Sequence, residues 1–193
     1  LGVYVGTVLS GLLLMLVFYM VFLRFVAQVQ PRRFLRDTRE LLLLAFSTSS
    51  SAAVMPLSMK TAVEKFGVRS SVAQFVIPLG ATINMNGTAL YQAVAAIFIS
   101  QAMGFDLTLS NQITIILTAV LASIGTAAVQ GAGIIMLVVI LESIGVPSSG
   151  IALILGVDRI LDMMRTVVNV TGDATVATVV AASEGQLKVV KNH

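Results

Sequence analysis

The residues whose types and spacing could do chemistry are concentrated in one segment, DRILDMMRTVVNVTGD at positions 158–173. In an α-helix, which turns by about 100° per residue, its polar side chains share one face about 100° wide. Ionised groups at membrane depth are costly, so they must pair, bind ions or face a cavity. An Asp–Arg pair that only joins helices would explain two of them, and we instead predict a binding face. Its members are Asp158, Asp162, Arg165, Thr166, Asn169 and Asp173.

The composition is typical of an integral membrane protein. Of the 193 residues, 57% are hydrophobic and 11% are charged, and the mean hydropathy is +0.97. A soluble domain carries about 25% charged residues. The sequence has no cysteine and its one histidine is the last residue, His193, which excludes disulfides, thiolate metal sites and a buried histidine base. Because no nucleophile, base or metal constellation is present, we predict that the protein is not an enzyme.

The basic residues predict which loops face the cytoplasm. Ten of the twelve lysines and arginines lie in three stretches, 24–39, 60–69 and 188–191, whereas residues 104–111 and 142–150 contain none. By the positive-inside rule the three basic stretches are cytoplasmic and the other two are external. Topology therefore explains the net charge of +3, and we expect no nucleic-acid partner.

The apolar runs between these loops predict an all-α membrane protein, a single domain over residues 1–193, with three spans and two re-entrant helical hairpins. About 20 apolar residues cross a bilayer, and three segments are assigned as spans: 1–30, 70–104 and 150–185. Two segments begin and end on one side and are assigned as hairpins: 35–66 from the cytoplasm and 111–143 from outside.

Polar and glycine-rich residues interrupt these segments. Hydroxyl residues at 47–51 and a glycine-rich stretch at 123–133 predict the two hairpin tips. The two later spans share the pattern Asn-x-x-Gly, at 84–87 and 169–172, and are interpreted as broken helices. A kinked helix at 84–87 and a small-residue packing face at 123–133 are the alternatives. Two hairpin-plus-broken-helix units of opposite orientation indicate an inverted repeat with its binding sites at the membrane midplane.

Arg165 and Asp162 indicate the class of ligand. The guanidinium fork of Arg165 matches a carboxylate bidentately, and Asp162, about one turn earlier, can accept an ammonium group. Together they predict an acidic amino acid whose second carboxylate is held by backbone amides of the hairpin tips. Asp173, one turn beyond Asn169, offers an oxygen ligand to a hard cation such as Na⁺.

Four ordered motifs extend this interpretation: SSSAAVMP, PLGATINMNGTALYQ, SIGTAAVQGAG and LDMMRTVVNVTGD. They resemble the glutamate transporter family, the dicarboxylate/amino acid:cation symporters. The resemblance covers nearly the whole chain but only the C-terminal half of such a transporter. It implies a transport domain that slides like an elevator against a scaffold, and a homotrimer if the scaffold spans are present.

The resemblance also implies roles for individual residues. Arg165 would bind the side-chain carboxylate of the substrate and Asp162 its amino group, with the external hairpin as the gate. Further substrate contacts would come from Ser49, Ser50, Ser51, Thr88, Val129, Gly131, Gly133, Thr166 and Asn169. One sodium site would use carbonyls of Gly80, Asn84 and Asn169 with the Asp173 carboxylate. A second would use carbonyls of Thr82, Ser123, Ile124 and Thr126 beside the Met85 sulfur.

Two positions depart from the family pattern. Asn86 stands where the family usually has the aspartate of NMDGT, which helps to form a third sodium site. The number and identity of the coupling ions therefore stay open. Gln130 stands where the gating tip often has proline.

The leading hypothesis is a sodium-driven symporter of L-aspartate or L-glutamate, multi-pass in the cell membrane and of prokaryotic inner-membrane or plasma-membrane type. A C4-dicarboxylate:cation symporter is an alternative, although Asp162 would repel a dicarboxylate. Neutral amino acid carriers typically lack the arginine, and gated hairpins suit occlusion better than a channel pore. A truncated membrane module that binds substrate without transporting it is the alternative from another class.

Overall fold

A computed structural model describes residues 1–187, which form helices, one isolated bridge between Val68 and Leu187, and no strand. The all-α class predicted from the sequence is confirmed. The basic stretch at 188–191 and His193 lie outside the described residues. The helices are α1 (Gly2–Phe25), α2 (Pro31–Asp37), α3 (Arg39–Thr48), α4 (Ser51–Phe66), α5 (Ser70–Ile83), α6 (Asn86–Ala102), α7 (Leu109–Ile124), α8 (Ala132–Ser143) and α9 (Leu155–Ser183), with a 3₁₀ segment at Ser148–Leu153.

Helix α1 is, within residues 1–187, the one helix whose length and apolar composition alone would let it cross a bilayer. Its buried residues follow one stripe, from Tyr4 and Val8 to Tyr19 and Leu23. Large apolar side chains such as Phe18 remain exposed on its other faces. One side of α1 therefore packs on the protein while the rest presents an apolar surface, as contact with lipid requires.

Two helical hairpins pack at their tips. Helices α3 and α4 are joined by Ser49 and Ser50, and α7 and α8 by residues 125–131. Ser50 caps α4, because its hydroxyl oxygen accepts a hydrogen bond from the backbone N–H of Ala53. The Ser50 hydroxyl and the Ala52 backbone N–H both donate to the Ala128 carbonyl, at 2.8 and 3.1 Å. The two tips are thus joined directly.

The segment predicted over 70–104 is interrupted where the Asn-x-x-Gly pattern lies. Helix α5 ends at Ile83 and α6 begins at Asn86, with Asn84 and Met85 outside helical geometry. Residues around this interruption pack against α9, because both α5 and α6 contact that helix.

The break predicted within residues 150–185 is wrong, because α9 is continuous from Leu155 to Ser183. Gly172, which suggested the break, serves close packing instead. A Cβ at this position would lie 2.7 Å from the Asn84 side-chain nitrogen and 2.8 Å from the Tyr19 hydroxyl. A glycine inside a helix costs about 1 kcal/mol relative to alanine, a cost that tertiary packing on several sides can offset. Helix α9 contacts α1, α3, α4, α5 and α6, and is the centre of the fold.

Candidate functional site

The polar face of α9 is buried, as its helical spacing predicts. Each of its six members is at most 8% exposed. This face meets the α3–α4 hairpin and the interruption between α5 and α6, because α3, α4, α5 and α6 all pack on α9. It meets the α7–α8 tip through the Gly131 backbone N–H, which donates to Asp162. The charged groups of α9 are therefore enclosed by protein.

Arg165 is the most enclosed of these groups, with 1% of its surface exposed. Its Nη2 and Nε donate hydrogen bonds to Asp162 Oδ1, at 2.8 and 3.2 Å. Its Nη1 lies 3.5 Å from Asp158 Oδ1. The guanidinium carbon lies 3.7 Å from the centre of the Tyr91 ring, a cation–π arrangement. One cation is thus held between two carboxylates and an aromatic face.

Several buried polar atoms beside this cation have no hydrogen-bond partner among the described residues. They include Arg165 Nη1, Asp158 Oδ1 and the hydroxyls of Tyr4 and Tyr91. Arg165 Nη1 and Asp158 Oδ1 nevertheless form an ion pair at 3.5 Å, so the unmet hydrogen-bonding capacity of this cluster belongs to the two tyrosine hydroxyls. Neither tyrosine was predicted from the sequence. Tyr91 lies three residues beyond Thr88 on one helix face, whereas Tyr4 reaches the cluster only through tertiary packing.

The tip of the α7–α8 hairpin is fixed above Arg165. Asp162 Oδ2 accepts a hydrogen bond from the backbone N–H of Gly131 at 3.0 Å. The Gln92 side-chain amide donates to the Gly133 carbonyl at 3.0 Å. A Cβ at Gly133 would lie 3.4 Å from the guanidinium carbon of Arg165. The tip therefore depends on the same carboxylate that binds the arginine.

A cavity of about 20 Å³ lies between the two hairpin tips and α9, with room for roughly one water molecule. Every substrate residue predicted from the sequence either lines this cavity or hydrogen-bonds to a residue that does. The predicted residues in its wall are Ser49, Ser51, Thr88, Val129, Gly133, Asp162, Thr166 and Asn169. The other three predicted residues, Ser50, Gly131 and Arg165, hydrogen-bond to residues of the wall.

Asp173 lies against the interruption between α5 and α6. The Asn84 side-chain amide donates to Asp173 Oδ1 at 3.0 Å. A Cβ at Gly80 would lie 2.5 Å from the same oxygen, so only glycine permits this approach. Three members of the first predicted sodium site are thus brought together.

Asn169, the fourth member, connects this region to the cavity. Its side-chain oxygen accepts from the backbone N–H of Gly87 at 2.8 Å, and its amide donates to the Thr88 hydroxyl at 3.0 Å. Because α9 is continuous, the Asn169 carbonyl takes part in the regular hydrogen bonding of the helix. A cation there would use the second lone pair of that carbonyl oxygen.

The second predicted sodium site falls at the C-terminal ends of α5 and α7, two helices in contact. Met85 and Thr126 line the cavity, Ser123 is buried nearby, and Thr82 and Ile124 are exposed. No group of three or more histidine, cysteine, aspartate or glutamate side chains that could hold a metal occurs in residues 1–187. A cation would therefore depend on neutral oxygens around a single carboxylate, a donor set that suits hard ions better than transition metals.

Asn86 joins this region to α1 without adding charge. Its side-chain amide donates to the Tyr19 hydroxyl at 3.0 Å and to the Asn84 side-chain oxygen at 2.6 Å. Tyr19 was not predicted from the sequence, since only tertiary packing brings α1 to this position. Gln130, the other departure, is exposed at the tip of the α7–α8 hairpin.

Known proteins resemble this chain over nearly its whole length. A model of the sodium:dicarboxylate symporter family matches residues 1–183. Excitatory amino acid transporter 3 of Mus musculus is 46% identical over 175 residues, 90% of this chain and 34% of the relative. The proton/sodium-glutamate symport protein of Bacillus subtilis (strain 168) is 44% identical over 191 residues, 99% of this chain and 44% of the relative. The chain thus spans less than half the length of these curated relatives, which are named as transport proteins and not as enzymes.

Proposed function

Because the chain belongs to the sodium:dicarboxylate symporter family, we propose that it forms the substrate- and ion-binding part of a sodium-coupled symporter of L-aspartate or L-glutamate. The observation that carries the proposal is the buried Arg165 with Asp162 beside it, at a cavity between two hairpin tips. Family members are membrane transporters rather than enzymes, and the names of the matched relatives include glutamate and excitatory amino acids.

Substrate binding would proceed by exchange of partners at Arg165. The side-chain carboxylate of the substrate replaces Asp162 on the guanidinium, and Asp162 takes the substrate amino group. Each buried charge keeps a partner throughout, which avoids the large penalty of leaving one unpaired. The second substrate carboxylate is bound by backbone amides and hydroxyls of the hairpin tips.

Sodium coupling follows from the charge of the occupied site. An acidic amino acid brings two carboxylates and one ammonium into a region where Asp158, Asp162 and Asp173 already outnumber Arg165. Excess negative charge at membrane depth is costly, and Na⁺ beside Asp173 offsets it. Substrate and ion therefore favour each other's binding. The absence of a carboxylate at Asn86 reduces the number of cations that the site can hold.

The hairpins would control access. An acidic amino acid is much larger than one water molecule, so the cavity of about 20 Å³ must widen before the ligand enters. We assign the α7–α8 hairpin as the external gate, because its tip bonds to the carboxylate that the substrate engages.

Helix α1, the α5–α6 pair and α9 serve as spans, and both hairpins as re-entrant segments of a multi-pass protein in a prokaryotic cell membrane. With the remaining spans of a full-length transporter, this unit would form a homotrimer and move like an elevator between two sides of the membrane.

Calorimetric titration of the purified protein tests the proposal. L-Aspartate and L-glutamate should bind in sodium buffer and not in choline buffer, with succinate binding weakly because it lacks the ammonium group. Equal aspartate binding in both buffers would contradict sodium coupling. Succinate bound as tightly as aspartate would favour a C4-dicarboxylate carrier.

A binding module that does not itself transport is the second candidate. The contacts of Arg165 with Asp162 and of Asp173 with Asn84 account for binding of substrate and ion, and binding by itself requires no movement across the membrane. Uptake of labelled aspartate into proteoliposomes under an inward sodium gradient distinguishes the two candidates. Sodium-dependent binding without uptake would favour the module.

A further inference from the structure

Arg159 lies on α9 beside the polar face, and no role for it was predicted from the sequence. Its Nη1 donates a hydrogen bond to the Ser49 hydroxyl oxygen at 3.1 Å. Arg159 forms no salt bridge within residues 1–187, so its charge is directed at a neutral partner. Ser49 is 2% exposed and lines the cavity. The guanidinium therefore lies one hydrogen bond behind the cavity wall.

The tip that contains Ser49 is held in a specific shape. Ser49 has a left-handed backbone, with φ of 50° and ψ of 34°, which side-chain-bearing residues seldom adopt. The neighbouring Ser50 hydroxyl is fixed on the Ala128 carbonyl of the opposite tip. Bonds from α9 and from the α7–α8 hairpin thus orient two consecutive hydroxyls of the α3–α4 tip.

Through the Ser49 hydroxyl, the positive charge of Arg159 can strengthen a hydrogen bond donated into the cavity. A hydroxyl oxygen that accepts from a guanidinium still has its own hydrogen to donate. Hydrogen bonds in a chain polarise one another, so this hydroxyl is a stronger donor to an anion than an isolated serine. The tip otherwise offers only neutral donors, whereas an acidic substrate carries one more carboxylate than Arg165 can bind bidentately.

We infer that Arg159 is a specificity-determining positioning residue, which orients the α3–α4 tip through Ser49 and adds positive potential for the substrate α-carboxylate. The inference rests on the proposed function, in which Arg165 takes the side-chain carboxylate. It divides the recognition of two carboxylates between two arginines six residues apart on α9, one in direct contact with substrate and one acting through a serine.

A ligand series measured against Arg159→Gln tests this division. The ligands are L-aspartate, L-asparagine, which lacks the side-chain carboxylate, and L-isoasparagine, which lacks the α-carboxylate, with the weaker ones measured by competition. Arg159 is exposed, so solvent screens part of its charge, and loss of the guanidinium should weaken L-aspartate and L-asparagine by about three- to tenfold each. L-Isoasparagine should weaken by less than about twofold, because it has no charge at the affected position.

Two variants serve as controls. Arg159→Lys keeps the charge and should recover part of the loss. Arg32→Gln removes an exposed arginine of α2 and should leave all three affinities unchanged. Melting temperatures of the variants report whether each remains folded.

The outcomes separate this inference from the proposed function. Equal weakening of all three ligands in Arg159→Gln would assign Arg159 a structural role and overturn the inference. Unchanged aspartate affinity in that variant would overturn the inference as well. The proposed function would still stand in that case, provided that the unsubstituted chain binds aspartate in a sodium-dependent way. Failure of the unsubstituted chain to bind aspartate in sodium would overturn both.

Discussion

At the scale of single residues, the candidate site depends on how the positive charge of Arg165 is shared. Asp162 is hydrogen-bonded to the guanidinium, and Asp158 lies 3.5 Å from its Nη1. Both carboxylates offset the same cation, yet of the two only Asp162 lines the cavity. Substituting each aspartate in turn therefore separates recognition of the ligand from neutralisation of the Arg165 charge.

Asp162→Asn should weaken L-aspartate binding by about 10- to 100-fold, because a hydrogen bond between charged groups contributes about 1.5–3 kcal/mol. Succinate, which has no ammonium group, should bind equally well or better, since a repelling carboxylate has been removed from the cavity wall. Competition calorimetry with the two ligands gives the ratio of their affinities.

Asp158→Asn is the control for this experiment. It removes the same charge from beside Arg165 without altering the cavity wall, so the preference for L-aspartate over succinate should persist. If both substitutions reduced that preference equally, recognition of the amino group could not be assigned to Asp162.

At the scale of the helices, the sequence predicts which residues form the site better than it predicts where a helix is broken. The polar periodicity of 158–173 predicts its buried face, and the hydroxyl and glycine clusters predict the turns between α3 and α4 and between α7 and α8. A sequence alone does not distinguish a glycine that breaks a helix from one that permits close packing. The unbroken α9 could therefore not be predicted at Gly172. Likewise, Arg159 lies about 20° beyond Thr166 at the edge of the polar face, and only the docked α3–α4 tip reveals its partner Ser49.

The contact between α5 and α9 gives a prediction at this scale. In Gly80→Ala the new Cβ would lie 2.5 Å from Asp173 Oδ1, so the carboxylate must move. We expect the sodium concentration for half-maximal aspartate binding to rise by about 10- to 100-fold, the range seen when groups that orient metal ligands are changed. Overpacking should also destabilise the fold by about 1–3 kcal/mol. Sodium titrations and thermal melts measure the two effects.

Gly156→Ala is the matched control, because a Cβ at this helical position of α9 meets nothing within 4 Å. It should leave the sodium dependence unchanged and raise stability by up to about 1 kcal/mol through helix propensity. An unaltered sodium dependence in folded Gly80→Ala would remove Asp173 from the proposed ion site.

At the scale of the whole molecule, α9 carries both halves of the proposed site. Asp162 and Arg165 lie at the cavity, and Asp173 lies against the interruption between α5 and α6. Asn169 stands between them and bonds to Gly87 and Thr88 at the start of α6. A change at either end can therefore reach the other through one side chain and a continuous helix. Large apolar surfaces on α1, α7 and α8 remain exposed around this core, as a membrane environment requires.

This arrangement predicts reciprocal coupling between substrate and ion. Sodium should raise the affinity for L-aspartate by the same factor by which L-aspartate raises the affinity for sodium, within the range of about 5- to 150-fold that is typical of coupled sites. Titrations of each ligand at several fixed concentrations of the other give this factor. Asn169→Ala should lower the factor but leave it above one, because it removes the link between the α6 start and α9 while the charge balance between substrate and ion remains. Thr171→Val is a buried change on α9 whose hydroxyl, among residues 1–187, bonds only to the Val167 carbonyl of its own helix, and it should leave the factor intact. If the factor were unchanged in Asn169→Ala while both affinities fell, the coupling would have to arise entirely from the electrostatic field between substrate and ion, with no contribution from this side chain.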